Sequence, residues 1–70
     1  MENQKRIRLS EMEARVLRLI TEGRTSQEIA EEVCLSLNTI KWYRKRLRIK
    51  FGAATTAQMI SQAVLMDIVK

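Results

Sequence analysis

The 70-residue chain has no proline and no histidine, only two glycines, and a single cysteine, Cys34. With no proline and so little glycine, the composition favours helices joined by short turns over a sheet. One cysteine rules out a disulfide within the chain and fits a reducing compartment. The chain also lacks a cluster of metal-ligating side chains and a glycine-rich phosphate loop. No catalytic residue, metal or cofactor is therefore expected, and the chain does not read as an enzyme. Cys34 lies in a turn, where a lone cysteine more often packs than reacts. Glu28, Glu31 and Glu32 read as helix surface or caps, with no second group at catalytic spacing. No apolar run approaches the roughly 18 residues a membrane span requires. The segment Met1 to Ser10 is charged and has no apolar stretch, so it does not read as a signal peptide. A cytoplasmic location is expected, with no membrane partner.

The least even absence is that of negative charge. No aspartate or glutamate occurs from Val33 to Met66, whereas Lys41, Arg44, Lys45, Arg46, Arg48 and Lys50 all fall there. The net charge of +5 is thus concentrated in one short window, while the rest of the chain is close to neutral. A basic face is often only solvated, and it could serve a membrane surface. A concentrated stripe on one helix is also the footprint of polyanion contact.

What is present is enough apolar side chain, 46% of residues, for one small core. A chain this short buries only about 60% of the surface it exposes when unfolded, so a single domain of modest stability is expected. Four helices can be read, over about residues 11–22, 26–33, 37–51 and 56–68. Ser10 and Glu13 have the spacing of a capping box, and Met12, Val16, Leu19 and Ile20 follow at helical spacing. Gly23 supplies a left-handed stop. Thr25 and Glu28 repeat the box, with Ile29, Ala30 and Val33 facing inward. Cys34 to Ser36 is a three-residue break, and Ser36 caps the third helix, which Gly52 ends. Thr55 and Gln58 form a further box before the last helix. Residues 1–8 read as a flexible N-terminal segment and residues 9–70 as the domain, with Leu9 packing as a hydrophobic staple. A short helix, a very short turn and then a longer basic helix is the helix-turn-helix order, in an all-α fold.

At about 100° per residue, Ile40, Tyr43, Leu47 and Phe51 share one face of the third helix, which must pack inward. Lys41, Lys45 and Arg48 fall on another side, and Trp42 and Ile49 point away from the core. A helix held by one face while the other enters the major groove of double-stranded DNA needs this layout. Lysines reach guanine edges or phosphates, and Trp42 reaches a thymine methyl or a sugar. The helix N-terminus, with Ser36 and Thr39, suits a phosphate. Trp42 could equally cap a neighbour or join a protein interface.

These segments, in this register, resemble the LuxR/FixJ/GerE-type helix-turn-helix domains of bacterial transcription regulators. The opening Leu9-Ser10-Glu11-Met12-Glu13-Ala14-Arg15-Val16-Leu17 matches the family's L-T-x-R-E-x-x-V-L. Gly23 and Ser26-Gln27-Glu28-Ile29-Ala30 match its next stretch. Leu35, Ser36, Thr39, Ile40, Lys41, Tyr43, Arg46, Leu47, Lys50, Phe51 and Gly52 occupy the positions of its recognition segment. The resemblance implies a four-helix domain that binds DNA sequence-specifically and regulates transcription, alone or as the output domain of a longer response regulator. It implies base contacts from Lys41, Trp42 and Lys45, and backbone contacts from Ser36, Thr39, Tyr43, Arg44 and Arg48. The chain departs from the family pattern at Trp42, Tyr43, Arg46 and Thr56, so its target sequence is not inherited with the fold.

In such domains the fourth helix often forms the dimer contact. Here Ala57, Ile60, Ala63 and Val64 read as its core stripe, leaving Met59, Gln62, Leu65, Met66 and Val69 for a homodimer interface. RNA polymerase is a further candidate partner. No small-molecule ligand is expected within this chain, which has no room for a sensing domain. Two other readings stay open. One is a promoter-binding module resembling region four of sigma factors. The other is a protein-interaction module using Trp42 and the apolar surface of the last helix.

Overall fold

The computed structural model describes residues 7–66. It contains α1 (Glu11–Thr21), α2 (Ser26–Val33), α3 (Leu37–Phe51) and α4 (Thr56–Leu65), with no strand among the described residues. Glu22 is the cap of α1 rather than its last helical residue. The expected continuation of α4 to residue 68 lies outside the described residues.

Each helix starts on a hydroxyl. The Ser10 and Thr25 side chains accept from the amides of Glu13 and Glu28, and each glutamate accepts in return from the cap amide. Both capping boxes are complete, so two orphan amides are satisfied at each start. The third box differs from the sequence expectation. Thr55 caps Gln58, but the Gln58 side chain accepts from the Ala54 amide at 2.9 Å, one residue further back. It thereby ties down the loop before α4.

Three helices end in the same way. The amide after a left-handed residue reaches back to a carbonyl five positions earlier: Arg24 to Leu19, Leu35 to Ala30, and Ala53 to Arg48. Gly23 and Gly52 hold the left-handed position in α1 and α3, where the missing Cβ removes the steric penalty. Cys34 holds it in α2, at φ 59°. Its side chain is exposed, with the thiol 4.0 Å from the Glu31 carbonyl, not packed as the sequence suggested. Cys34, Leu35 and Ser36 form the whole turn between α2 and α3.

α3 is the hub, packing against each of the other three helices. Ile40, Leu47 and Phe51 on its inner face are buried, with Tyr43 half-buried beside them. From α1 the core takes Val16, Leu19, Ile20 and also Leu17, which is fully buried although the expected stripe omitted it. α1 lies against both α2 and α3, so its buried arc is wider than one narrow stripe. Packing begins before Leu9, because Ile7 also lies against the core and the Arg8 carbonyl accepts from the Lys50 ammonium at 3.0 Å.

α4 is rotated from its expected orientation. Met59 and Ala63 are fully buried, Ile60 is half-buried, and Ala57 and Val64 face solvent. Met59 is therefore a core residue and not part of an outer interface. The helix has no charged residue and carries apolar side chains all round, so periodicity alone does not select its inner face.

Candidate nucleic-acid interface

The inner face of α3 is fixed by the core, which determines where its other sides point. Lys41, Arg44, Lys45 and Arg48 lie one helical turn apart in pairs and gather on one side. They line a shallow, open cleft of about 500 Å³ together with Ser26, Ala54, Thr55 and Thr56. Ser26 is the first residue of α2, and Thr55 and Thr56 open α4. Two helix N-termini, each carrying partial positive charge, therefore share the wall with four cations. Lys41 and Lys45 are exposed, while Arg44 and Arg48 are half-buried. Arg48 also reaches the Ala54 carbonyl, at 3.5 Å. Among the described residues no acidic side chain lines this cleft.

The other two cations of the basic window turn away. Arg46 Nε donates to Glu13 Oε2 at 2.8 Å, and Lys50 Nζ donates to Glu13 Oε1 at 2.7 Å. Glu13 is 3% exposed and is the one charged residue in the core of the described chain. Burial alone would raise its pKa. Hydrogen bonds from Lys50, the Ser10 amide and Arg46, with the Lys50 charge, outweigh burial and lower it from 4.5 to about 2. The basic stripe of the sequence is thus two groups. Four cations face the cleft, and two clamp α3 to the start of α1.

The sequence reading gave Glu13 only its capping role and missed this clamp. The signal was present. Glu13, Val16, Leu17 and Ile20 follow the spacing of one helix face, so a carboxylate on that face had to be buried and paired.

Trp42 and Ile49 stand outward, 54% and 69% exposed. Trp42 is nonetheless constrained. Tyr43 meets it edge to face with ring centroids 5.1 Å apart, and the Arg46 guanidinium lies 5.2 Å from its ring centre. The structure thus brings Lys41, Lys45, Arg44 and Arg48 together and puts Trp42 on the adjoining side of the same helix. Ser36 and Thr39 sit at the start of α3. The Ser36 hydroxyl accepts from the Thr39 amide at 3.1 Å and lies 2.9 Å from the Thr39 hydroxyl. Both are engaged in capping, with Ser36 still exposed. On α4, Leu65 and Met66 are exposed and Gln62 is half-buried, while Val69 lies outside the described residues.

Residues 8–63 match the family described as bacterial regulatory proteins, luxR family. The chain is similar to the transcriptional regulatory protein MctR of Rhizobium johnstonii, with 39% identity over 61 residues. That match covers 87% of this chain and 28% of the relative. It is also similar to the transcriptional activator protein PhzR of Pseudomonas fluorescens, 30% identical over 63 residues, or 90% of this chain and 26% of the relative. The chain thus spans little more than a quarter of the length of these curated relatives. Among solved structures it resembles a Vibrio cholerae VqmA dimer described in the absence of target DNA. The TM-score there is 0.87 and the identity 33%, covering 90% of this chain and 28% of that one. It also resembles a VqmA–ligand–DNA complex, with a TM-score of 0.85 and 31% identity over 97% of this chain and 30% of that one.

Proposed function

The chain belongs to the luxR family of bacterial regulatory proteins, and we propose that it binds double-stranded DNA sequence-specifically and regulates transcription, with α3 in the major groove. One observation carries the reading. Four cations and the starts of α2 and α4 share one cleft on the solvent side of a helix whose opposite face is locked in the core. Such a surface can follow a phosphate backbone while the helix beside it enters a groove about 12 Å wide.

In this reading Lys41, Trp42 and Lys45 touch base edges. Arg44 and Arg48 contact phosphates, as do Ser36, Thr39 and the Tyr43 hydroxyl nearer the start of α3. Two copies join through the outer face of α4, where Leu65 is 85% and Met66 42% exposed and Gln62 is half-buried. Val69, which the sequence also assigns to this interface, lies outside the described residues. Two-fold pairing would place the two α3 helices about one DNA turn apart. The site of action is the nucleoid in the bacterial cytoplasm, and the process acted on is promoter use by RNA polymerase.

Selection from a randomised duplex pool tests the reading. A motif with two half-sites about 10 base pairs apart is expected. Recovery of sequences no different from the input overturns it. Within the selected site, Lys41→Ala is expected to lose about 1–3 kcal/mol of discrimination at one base pair. Unchanged binding by that variant would remove Lys41 from the reading face.

A further inference from the structure

We propose that Arg46 is a specificity-determining positioning residue, which fixes the Trp42 indole for base reading while itself held by Glu13. The inference rests on α3 being the groove-reading helix.

Three observations converge on it. First, Arg46 has a rigid support. Its Nε donates to a carboxylate that is 3% exposed and also held by the Ser10 amide and the Lys50 ammonium. Second, the other side of the guanidinium faces Trp42, one helical turn earlier, with its central carbon 5.2 Å from the ring centre. Third, Tyr43 meets the indole edge to face at 80°. An indole that is 54% exposed would otherwise sample several rotamers. Here it is bracketed by a cation and a ring, both attached to the core. An anchor already in its bound orientation has less freedom to lose on binding.

The chemistry favours arginine at this position. The planar guanidinium offers an edge to the carboxylate and a face to the indole simultaneously. A lysine ammonium is a compact point charge with no second face. Pairing with Glu13 also withdraws this cation from the phosphate-facing set, so its contribution is to orientation and not to general affinity.

Trp42 is the single tryptophan, so emission excited beyond the absorption of tyrosine reports on it alone. Arg46→Lys in the 70-residue chain is expected to raise collisional quenching of Trp42 and to lower its emission anisotropy. A duplex selected by the wild-type chain is then varied one base pair at a time. Arg46→Lys should lose about tenfold of discrimination at the same base pair where Trp42→Ala does, and little elsewhere. In the Trp42→Ala background it should lose nothing further. Lys50 is left to hold Glu13 in this variant, and circular dichroism checks that it folds. If Arg46→Lys does not fold, Arg46→Met is measured by the same protocol.

Wild-type emission together with wild-type discrimination overturns the proposal. A uniform loss over all base pairs also overturns it, because Arg46 would then be a phosphate contact. Additive losses in the double variant overturn it as well. If the wild-type chain selects no motif, the DNA reading itself fails and the specificity role falls with it. A selected motif with Trp42→Ala neutral overturns this inference alone.

Discussion

Glu13 is a single carboxylate with two structural duties, since it closes the capping box of α1 and clamps Arg46 and Lys50 of α3. Its folded pKa, about 2, lies below the ordinary 4.5. The stabilisation is therefore fully present above about pH 4.5 and is lost as pH falls through about 2, and it amounts to about 3 kcal/mol at neutral pH. Glu13→Gln keeps a side chain that can accept from the Ser10 amide but removes the charge. Urea unfolding at pH 7 should show a loss of about 2–3 kcal/mol, and the difference from wild type should shrink toward pH 2. A constant difference across that range would show that the ion pairs do not stabilise the fold. At Cys34 the expected sign is opposite. A left-handed residue with a Cβ costs about 1–2 kcal/mol, while glycine gains about 0.4–1 kcal/mol of unfolded-state entropy. Cys34→Gly should therefore stabilise the domain by about 0.5–1 kcal/mol in thermal unfolding, since the exposed thiol gives up only a weak contact with the Glu31 carbonyl. A lower melting temperature would mean that the thiol contributes contacts after all.

At the scale of the element, how much the sequence reveals follows from how sharply each helix is patterned. Starts at Ser10, Thr25 and Thr55 were readable because a hydroxyl followed by a Glu or Gln three residues on has a mechanism, and Ser36 because a serine after a short break caps the helix that follows. α3 was readable because six cations contrast with Ile40, Leu47 and Phe51, leaving one orientation. α4 lacks that contrast. Ala57, Met59, Ile60, Ala63, Val64 and Leu65 surround the helix, and only packing against α3 decides that Met59 and Ala63 go inside. The spacing of Glu13 with Val16, Leu17 and Ile20 signals that its carboxylate is buried and paired, but not with which cations. Arg46 and Lys50 lie 33 and 37 positions away, and no local pattern reports a contact of that range. The orientation of α4 makes a two-sided prediction. Met59→Ala should cost about 2–5 kcal/mol of stability by opening a cavity. Leu65→Ser should leave stability within about 0.5 kcal/mol and weaken self-association on DNA, read by light scattering. If Leu65→Ser instead unfolds the domain, the outer face of α4 is part of the core.

For the whole molecule, the question is how much of the net charge of +5 acts on a polyanion. Attraction at a distance depends on all of it, but counterion release counts only cations that neutralise phosphates. Of the six in the basic window, Arg46 and Lys50 are committed to Glu13, which leaves Lys41, Arg44, Lys45 and Arg48 at the cleft. If Lys41 and Lys45 are spent on base edges, two phosphate contacts per copy remain from these side chains. Each neutralised phosphate contributes about −0.9 to the slope of log binding constant against log salt. One copy should therefore give a slope between about −2 and −4 for side-chain contacts, doubling when two copies bind. Arg48→Ala should flatten the slope by about 0.9 per copy and weaken all sequences alike. Arg46→Met should leave the slope unchanged although it removes the same charge. Fluorescence titrations at several salt concentrations distinguish the two variants. Equal flattening by both would mean that the Glu13 clamp opens on DNA and that all of the basic window faces the backbone.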